Sequence, residues 1–217
     1  MKLLIFDVDG TILYTLESIG YYLNRAILEQ GYQGLELESV RRNLGNGSRV
    51  LIEGVLKELG VEDEKIVDNV IERYHKMYYS NASYLTEHYP KVLELLDSVQ
   101  SNILVAYSNK PDLVLQPLMK DFFDKRIFSF IQGQKEGVAN KPNPDVVFEL
   151  IKKYGVSKKD VYFIGDSEVD IATGKNAGVN TIGVTWGYRD REVVSKCNPD
   201  YLVDTIDDLK ELLCKIS

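Results

Sequence analysis

The sequence predicts an α/β fold, a doubly wound parallel sheet core carrying an inserted helical cap, on three observations. Residues 3–6 (Leu-Leu-Ile-Phe) form a short apolar run closed by Asp7, Asp9 and Gly10, the pattern of a buried parallel strand ending in turn chemistry. From about residue 90 helical and strand patterns alternate to the end of the chain, as expected for a parallel sheet covered on both faces. Between these, roughly residues 14–85 keep a helical period. The chain therefore divides into a core formed by residues 1–14 and 86–217 and a cap formed by residues 15–85, with hinges near 14–17 and 82–90.

Each element has a local reason. Ile19, Leu23, Ile27 and Leu28 share one helical face, and Gly31 supplies a stop. Residues 47–59 and 63–80, the latter with Ile66, Val70, Ile71 and Tyr74, repeat that period. In the core, helices are expected at 90–100, 111–120, 144–154, 168–177 and 206–215, and strands at 103–107, 127–131, 161–164 and 180–184, with a short strand before the last helix.

Composition narrows the function. The 217 residues suffice for one large domain or a core with an insertion, and 44% hydrophobic with 27% charged residues is an ordinary globular balance. With 26 basic against 33 acidic residues, a net charge of −7 and no basic run, nucleic acid is excluded as an expected partner. Cys197 and Cys214 lie far apart and outside any metal-type pair, which points to free thiols in a reducing compartment. Only four apolar residues precede Asp7, and no stretch approaches a membrane span, so a cytoplasmic monomer or homodimer without membrane contact is expected.

Three expected strands end in polar groups: Asp7 and Asp9 after the first, Ser108 and Asn109 after residues 103–107, and Asp166, Ser167 and Asp170 after residues 161–165. If these strands are neighbours, all of these groups meet at one sheet edge. Asn140-Lys141-Pro142-Asn143-Pro144 sets a lysine just before a proline-initiated helix, within reach of the same edge. Taken singly, each feature has an ordinary reading as a turn, a solvated cation or a helix cap. Together they compose a phosphoryl-transfer site. Asp7 and Asp166 are hard oxygen ligands suited to Mg²⁺, and the Asp9 carbonyl adds a third. Asp7 is the candidate nucleophile and Asp9 the candidate general acid and base. Lys141 and Ser108, with the backbone at Gly10 and Thr11 and the Asn109 side chain, are candidates to hold phosphate oxygens. Asp170, one helical turn after Asp166, is placed to orient Lys141 or a metal-bound water.

These residues resemble the haloacid-dehalogenase-like phosphohydrolase superfamily. Its Asp-x-Asp-Gly-Thr motif matches Asp7–Thr11, its Ser/Thr matches Ser108, its lysine matches Lys141, and its Gly-Asp-Ser-x-x-Asp pattern is met by Gly165–Asp170, together spanning nearly the whole chain. The resemblance implies a Rossmann-like core, an aspartyl-phosphate on Asp7, acid/base work at Asp9, charge neutralisation by Lys141, and Mg²⁺ held by Asp7, the Asp9 carbonyl and Asp166. Within the superfamily the chain is most similar to the phosphoglycolate phosphatases, through Asn43–Gly47, Ser108–Pro111, Asn140–Pro144 and Thr185–Tyr188, with Tyr14 departing from the usual acidic residue. The expected partner is thus a small phosphorylated metabolite, 2-phosphoglycolate first. A pyrophosphatase or phosphosugar mutase of the same superfamily is the alternative enzyme, and a phospho-accepting signalling domain or catalytically silent binding protein is the alternative outside enzymology. Arg49, Asn46 and Arg42 are candidates to meet a substrate carboxylate, against the commoner reading of both arginines as surface charge. The tyrosines of the cap (Tyr21, Tyr22, Tyr74, Tyr78, Tyr79, Tyr84) are read as packing with wet hydroxyls, and His75 and His88 as surface residues.

Overall fold

The computed structural model describes residues 1–216. Strand β1 (Leu3–Phe6) is buried at all four positions, and its side chains alternate between two cores as a pleated strand requires. Leu4 and Phe6 join one apolar cluster, Leu3 and Ile5 the other. The chain leaves β1 through Asp7–Gly10, where Gly10 has φ of +87°, and enters a two-residue strand β2 (Leu13–Tyr14). Four helices follow: α1 (Leu16–Leu28), α2 (Leu37–Asn43), α3 (Ser48–Glu58) and α4 (Glu64–Tyr78). The chain then returns through β3 (Glu87–His88), which pairs antiparallel with β2 in the register Leu13↔His88 and Tyr14↔Glu87. This two-stranded ribbon ties together the outgoing and returning chain, and nothing in its dipeptide strands marks it in sequence.

The remainder runs α5 (Val92–Ser98), β4 (Ile103–Pro111), α6 (Asp112–Phe122), β5 (Phe130–Gln134), α7 (Asp145–Tyr154), a turn of 3₁₀ helix (Lys158–Asp160), β6 (Val161–Gly165), α8 (Glu168–Ala177), β7 (Asn180–Val184), α9 (Arg191–Lys196), β8 (Tyr201–Val203) and α10 (Ile206–Ile216). Among the described residues the main sheet has the order β5-β4-β1-β6-β7-β8, and every pairing is parallel. One face is covered by α5, α6 and α10, the other by α7 and α8, through Val92, Leu115 and Leu209 on one side and Val147, Leu150 and Ala177 on the other. This is the doubly wound, Rossmann-like α/β core expected from the alternating pattern. No described helix is long and apolar enough to cross a membrane.

Three local differences have physical causes. Strand β4 continues past Tyr107 to Pro111, with an irregular register against β5 between Tyr107 and Pro111, so Ser108 and Asn109 lie within the strand rather than beyond it. Strand β5 begins at Phe130, not at residue 127. The earlier apolar signal comes from Phe128, whose ring meets Phe6 and Phe123 edge-on inside the core. Helices α2 and α9 are short and carry too few apolar positions to announce themselves by period.

Candidate active site

The strand order makes β1 the neighbour of both β4 and β6, so the groups just after β1 and β6 and those in the last residues of β4 share one carboxyl-terminal edge, the usual place for a site in an open α/β sheet. The amide of Asp7 continues the ladder by donating to the Ile164 carbonyl at 2.8 Å. Its carboxylate receives Lys141 Nζ at 2.6 Å, and Lys141 Nζ also donates to Asp170 Oδ1 at 2.7 Å. Asp7, Asp166 and Asp170 are all buried and offer one oxygen each within 4.8 Å of one another.

Surrounding residues hold these groups in place. Ser167 caps α8: its hydroxyl accepts from the Asp170 amide while Asp170 Oδ2 accepts from the Ser167 amide and hydroxyl. Both oxygens of Asp170 are therefore engaged, one with Lys141 and one with Ser167. Asp166 Oδ2 accepts from the Tyr188 amide at 2.6 Å, and the buried Thr11 hydroxyl stands 3.5 Å from Oδ1. Two glycines allow this crowding. A Cβ at Gly10 or at Gly187 would lie 2.4 or 2.3 Å from Asp166 Oδ2. Asn109 clamps the lysine loop by accepting from the Lys141 amide at 2.9 Å and donating to its carbonyl at 3.1 Å, and it also donates to the Gly45 carbonyl of the α2–α3 loop. Ser108 is buried, with Oγ accepting from the Lys110 amide. Asp9 accepts from the Thr15 hydroxyl at 2.7 Å and from Lys110 Nζ at 3.0 Å.

Electrostatics argue for a cation here. Burial, and then the charge of Asp170, push the Asp7 carboxyl well above the ordinary range, and burial with the same neighbour raises Asp166 to about 7. Burial disfavours the Lys141 ammonium, but Asp170 and Asp7 outweigh it and hold the lysine charged. Three buried carboxylates facing one lysine leave negative charge uncompensated. A divalent cation fits that deficit, and a wholly oxygen donor set suits a hard ion. Asp7 and Asp166 are the residues best placed to hold it: Asp170 gives one oxygen to the Lys141 ammonium and the other to two donors of Ser167, whereas Asp7 bonds Lys141 through Oδ1 alone and Asp166 Oδ1 meets only the Thr11 hydroxyl at 3.5 Å.

The charge deficit makes a testable prediction. A carboxyl whose folded pKa is raised binds more protons in the folded than in the unfolded chain, so stability falls as pH rises from the unfolded value near 4 through the folded value near 7 for Asp166. Burial lowers the pKa of His75, which acts in the opposite sense around its ordinary value. The readout is therefore the Mg²⁺-dependent part, which His75 does not carry. Saturating Mg²⁺ should raise Tm by roughly 5–10 °C at pH 8 and by much less at pH 5. A thermal melt in which Mg²⁺ shifts Tm equally at both pH values would remove the acidic cluster as a metal site.

The structure thus gathers Asp7, Asp9, Gly10, Thr11, Ser108, Asn109, Lys141, Asp166 and Asp170 in one place. It does not bring Arg49 there. That side chain is 56% exposed on α3 and pairs with Glu53 and Asp68, and Arg42 pairs with Glu58. Both arginines are surface charges: the inward face of α3 is taken by Leu51, Ile52, Val55 and Leu56, and that of α2, which carries Arg42, by Ser39 and Val40. Instead, Lys110, Tyr78, Tyr188 and Arg189 line the cavity above Asp7 and Asp9. Lys110 and Tyr188 lay inside segments singled out as motifs, but no role attached to them. The Tyr78 hydroxyl, expected to be wet, is instead buried: the residue is 2% exposed and the hydroxyl has no hydrogen-bond partner among the described residues. His75 is half-buried, bonded to the Ser48 hydroxyl and stacked on Tyr79.

Fold and site together define an α/β protein whose sheet edge gathers buried carboxylates around a buried lysine, an arrangement suited to a hydrolase. The family model described as "Haloacid dehalogenase-like hydrolase" matches residues 4–184. A phosphoglycolate phosphatase of Haemophilus influenzae (strain Rd) is 33% identical, with the alignment covering 98% of each chain. Another, of Mannheimia succiniciproducens, is 31% identical with the same coverage of both chains. The crystal structure of a predicted phosphoglycolate phosphatase from Haemophilus somnus 129pt superposes with a TM-score of 0.90 at 27% identity, over 98% of this chain and 97% of that one. The chain belongs to the haloacid dehalogenase-like hydrolase family.

Proposed function

We propose that this enzyme is a Mg²⁺-dependent phosphatase that hydrolyses a small phosphomonoester, 2-phosphoglycolate, through an aspartyl-phosphate on Asp7. The observation that carries the reading is the Asp7 carboxylate at the end of the central strand, paired with buried Lys141 and flanked by Asp166 and Asp170. In this reading residues 15–85 act as a cap over the core made by residues 1–14 and 86–217. Phosphoglycolate comes from the names of the relatives at about 30% identity over nearly full length.

Each residue has a definable task. An oxygen of Asp7 attacks phosphorus, forming the Asp7 O–P bond as the bond from phosphorus to the leaving oxygen breaks. Asp9 donates a proton to that oxygen and later takes one from the water that attacks phosphorus and releases Asp7. Lys141, Ser108 and the amides after Asp7 neutralise and orient the phosphoryl oxygens. Asn109 and Asp170 position Lys141, the first through its backbone and the second through its ammonium. Bound at Asp7 and Asp166 with the Asp9 carbonyl, Mg²⁺ would supply charge neutralisation of the phosphoryl group.

Phosphate release should be measured with Mg²⁺ on 2-phosphoglycolate, pyrophosphate, hexose phosphates and an aryl phosphate. The expected result is a kcat/KM for 2-phosphoglycolate at least tenfold above every other member. Preference for pyrophosphate or a hexose phosphate would replace the substrate and keep the mechanism. Release from none, with stable phosphorylation of Asp7, would favour a phospho-accepting protein.

A further inference from the structure

We propose that Lys110 and Tyr78 form a subsite for a carboxylate on the leaving group, so that the enzyme selects phosphate esters of small hydroxy acids. The inference rests on the phosphatase reading above and adds what recognises the non-phosphate end.

Three cationic side chains line the cavity among the described residues: Lys110, Lys141 and Arg189. Two of them are committed. Lys141 lies between Asp7 and Asp170. Arg189 sends Nε to Glu168 and its two terminal nitrogens to the carbonyls of Arg41 and Leu44, which ties the loop after β7 to the α2–α3 region. Lys110 differs. Its side chain is 3% exposed, and its ammonium has one acceptor group, the Asp9 carboxylate at 3.0 Å. It also lies over the Tyr78 ring, 5.0 Å from the centroid. An ammonium carries three N–H donors, so donors remain beyond those that Asp9 accepts.

Tyr78 makes the second observation independently. It lines the same cavity, is 2% exposed, and its hydroxyl has no hydrogen-bond partner. A buried hydroxyl left unpaired costs on the order of 1–3 kcal/mol, and the ring that carries it packs against the rings of Tyr22 and Tyr74. An ammonium with a spare donor and an unpartnered hydroxyl lining one cavity are complementary to a small anion. A carboxylate can accept from both at once. The placement also suits the chemistry. Asp9 is the group assigned to protonate the leaving oxygen, and Lys110 touches Asp9, so a carboxylate one carbon from that oxygen falls beside the lysine. The ammonium between them offsets the repulsion between substrate carboxylate and Asp9. A neutral alcohol would leave both protein donors unpaired, and sites built to pair a polar substrate group discriminate strongly against its absence.

The test compares 2-phosphoglycolate with ethyl phosphate, of similar size and without the carboxylate, by Mg²⁺-dependent phosphate release. The wild-type enzyme should prefer the acidic ester by about 100-fold or more in kcat/KM. Lys110→Met should lower kcat on both esters through the contact with Asp9, and in addition raise KM for the acidic ester alone by roughly 50-fold, collapsing the preference. Lys110→Arg should recover part of it. Tyr78→Phe keeps the ring and loses one oxygen, so its folding is safe, and it should raise KM for the acidic ester about 5–10-fold while leaving the KM of ethyl phosphate in place. Equal changes on both esters in Lys110→Met and Tyr78→Phe, or a wild-type preference for ethyl phosphate, would overturn the subsite and leave the phosphatase reading standing. Release from neither ester by the wild type would overturn the subsite, and the phosphatase reading would fall with it only if pyrophosphate, the hexose phosphates and the aryl phosphate released none either.

Discussion

Asp7→Asn should abolish phosphate release, lowering kcat by roughly 10⁴-fold or more, the scale on which loss of a covalent nucleophile is felt. The carboxamide fills the same volume but is a poor nucleophile, and it removes an oxygen anion expected to hold the metal. Stability should move the other way. Asp7 is one of three clustered buried carboxylates, of which Lys141 bonds two, Asp7 and Asp170, and its raised pKa records a net unfavourable environment for its charge. The metal-free variant should therefore melt at or above the wild-type Tm near pH 8, and most of the Mg²⁺-dependent rise in Tm should vanish. Activity above about 1% of wild type would remove Asp7 as the nucleophile. A large fall in metal-free Tm would mean that the carboxylate is structural instead.

Lys141→Met should damage both properties. The ammonium is 3% exposed and bonds Asp7 and Asp170 at 2.6 and 2.7 Å, and removing one member of a buried ion network leaves its partners charged and unpaired. Such losses cost about 3–5 kcal/mol. For a chain of this length that is a fall in Tm of roughly 6–20 °C. kcat should fall at least 10²-fold as the phosphoryl oxygens lose their fixed cation. Because the lysine and Asp7 touch, the two substitutions should not add. The double variant Asp7→Asn with Lys141→Met should retain about 1–3 kcal/mol more stability than the sum of the two single effects predicts, measured by denaturant unfolding. Additive losses would show that the two side chains act independently in solution.

The site was legible to unequal degrees. Asp7, Asp9 and Gly10 were readable because their signal is local: an apolar run, a stop and a turn within nine residues. Asp166 and Asp170 were readable for a similar reason, since a Gly-Asp-Ser segment between strand and helix is also a capping sequence, and the structure closes it into a reciprocal Ser167–Asp170 cap. Arg49 was misplaced because helical period locates an apolar face without saying which flanking positions look into the cavity. The salt bridges to Glu53 and Asp68 answer that. Lys110 and Tyr78 escaped for a different reason. Lys110 stands in a recognisable segment on β4, and Tyr78 ends a helix more than thirty positions earlier, so their encounter over Asp9 exists only in three dimensions.

By itself, the sequence determined the elements and the chemistry of their ends: an unbroken apolar run for a strand buried on both faces, helices with a period near 3.6, and carboxylates stationed where strands stop. Those properties depend on neighbours within a few residues. The tertiary structure alone decided which buried cation meets which carboxylate, that β2 and β3 bind the outgoing and returning chain into one ribbon, and that a lysine and a tyrosine with spare donors share the space above Asp9. Such pairings are set by how the α1–α4 helices settle on the sheet edge, where burial turns each unpaired polar group into a large energetic term.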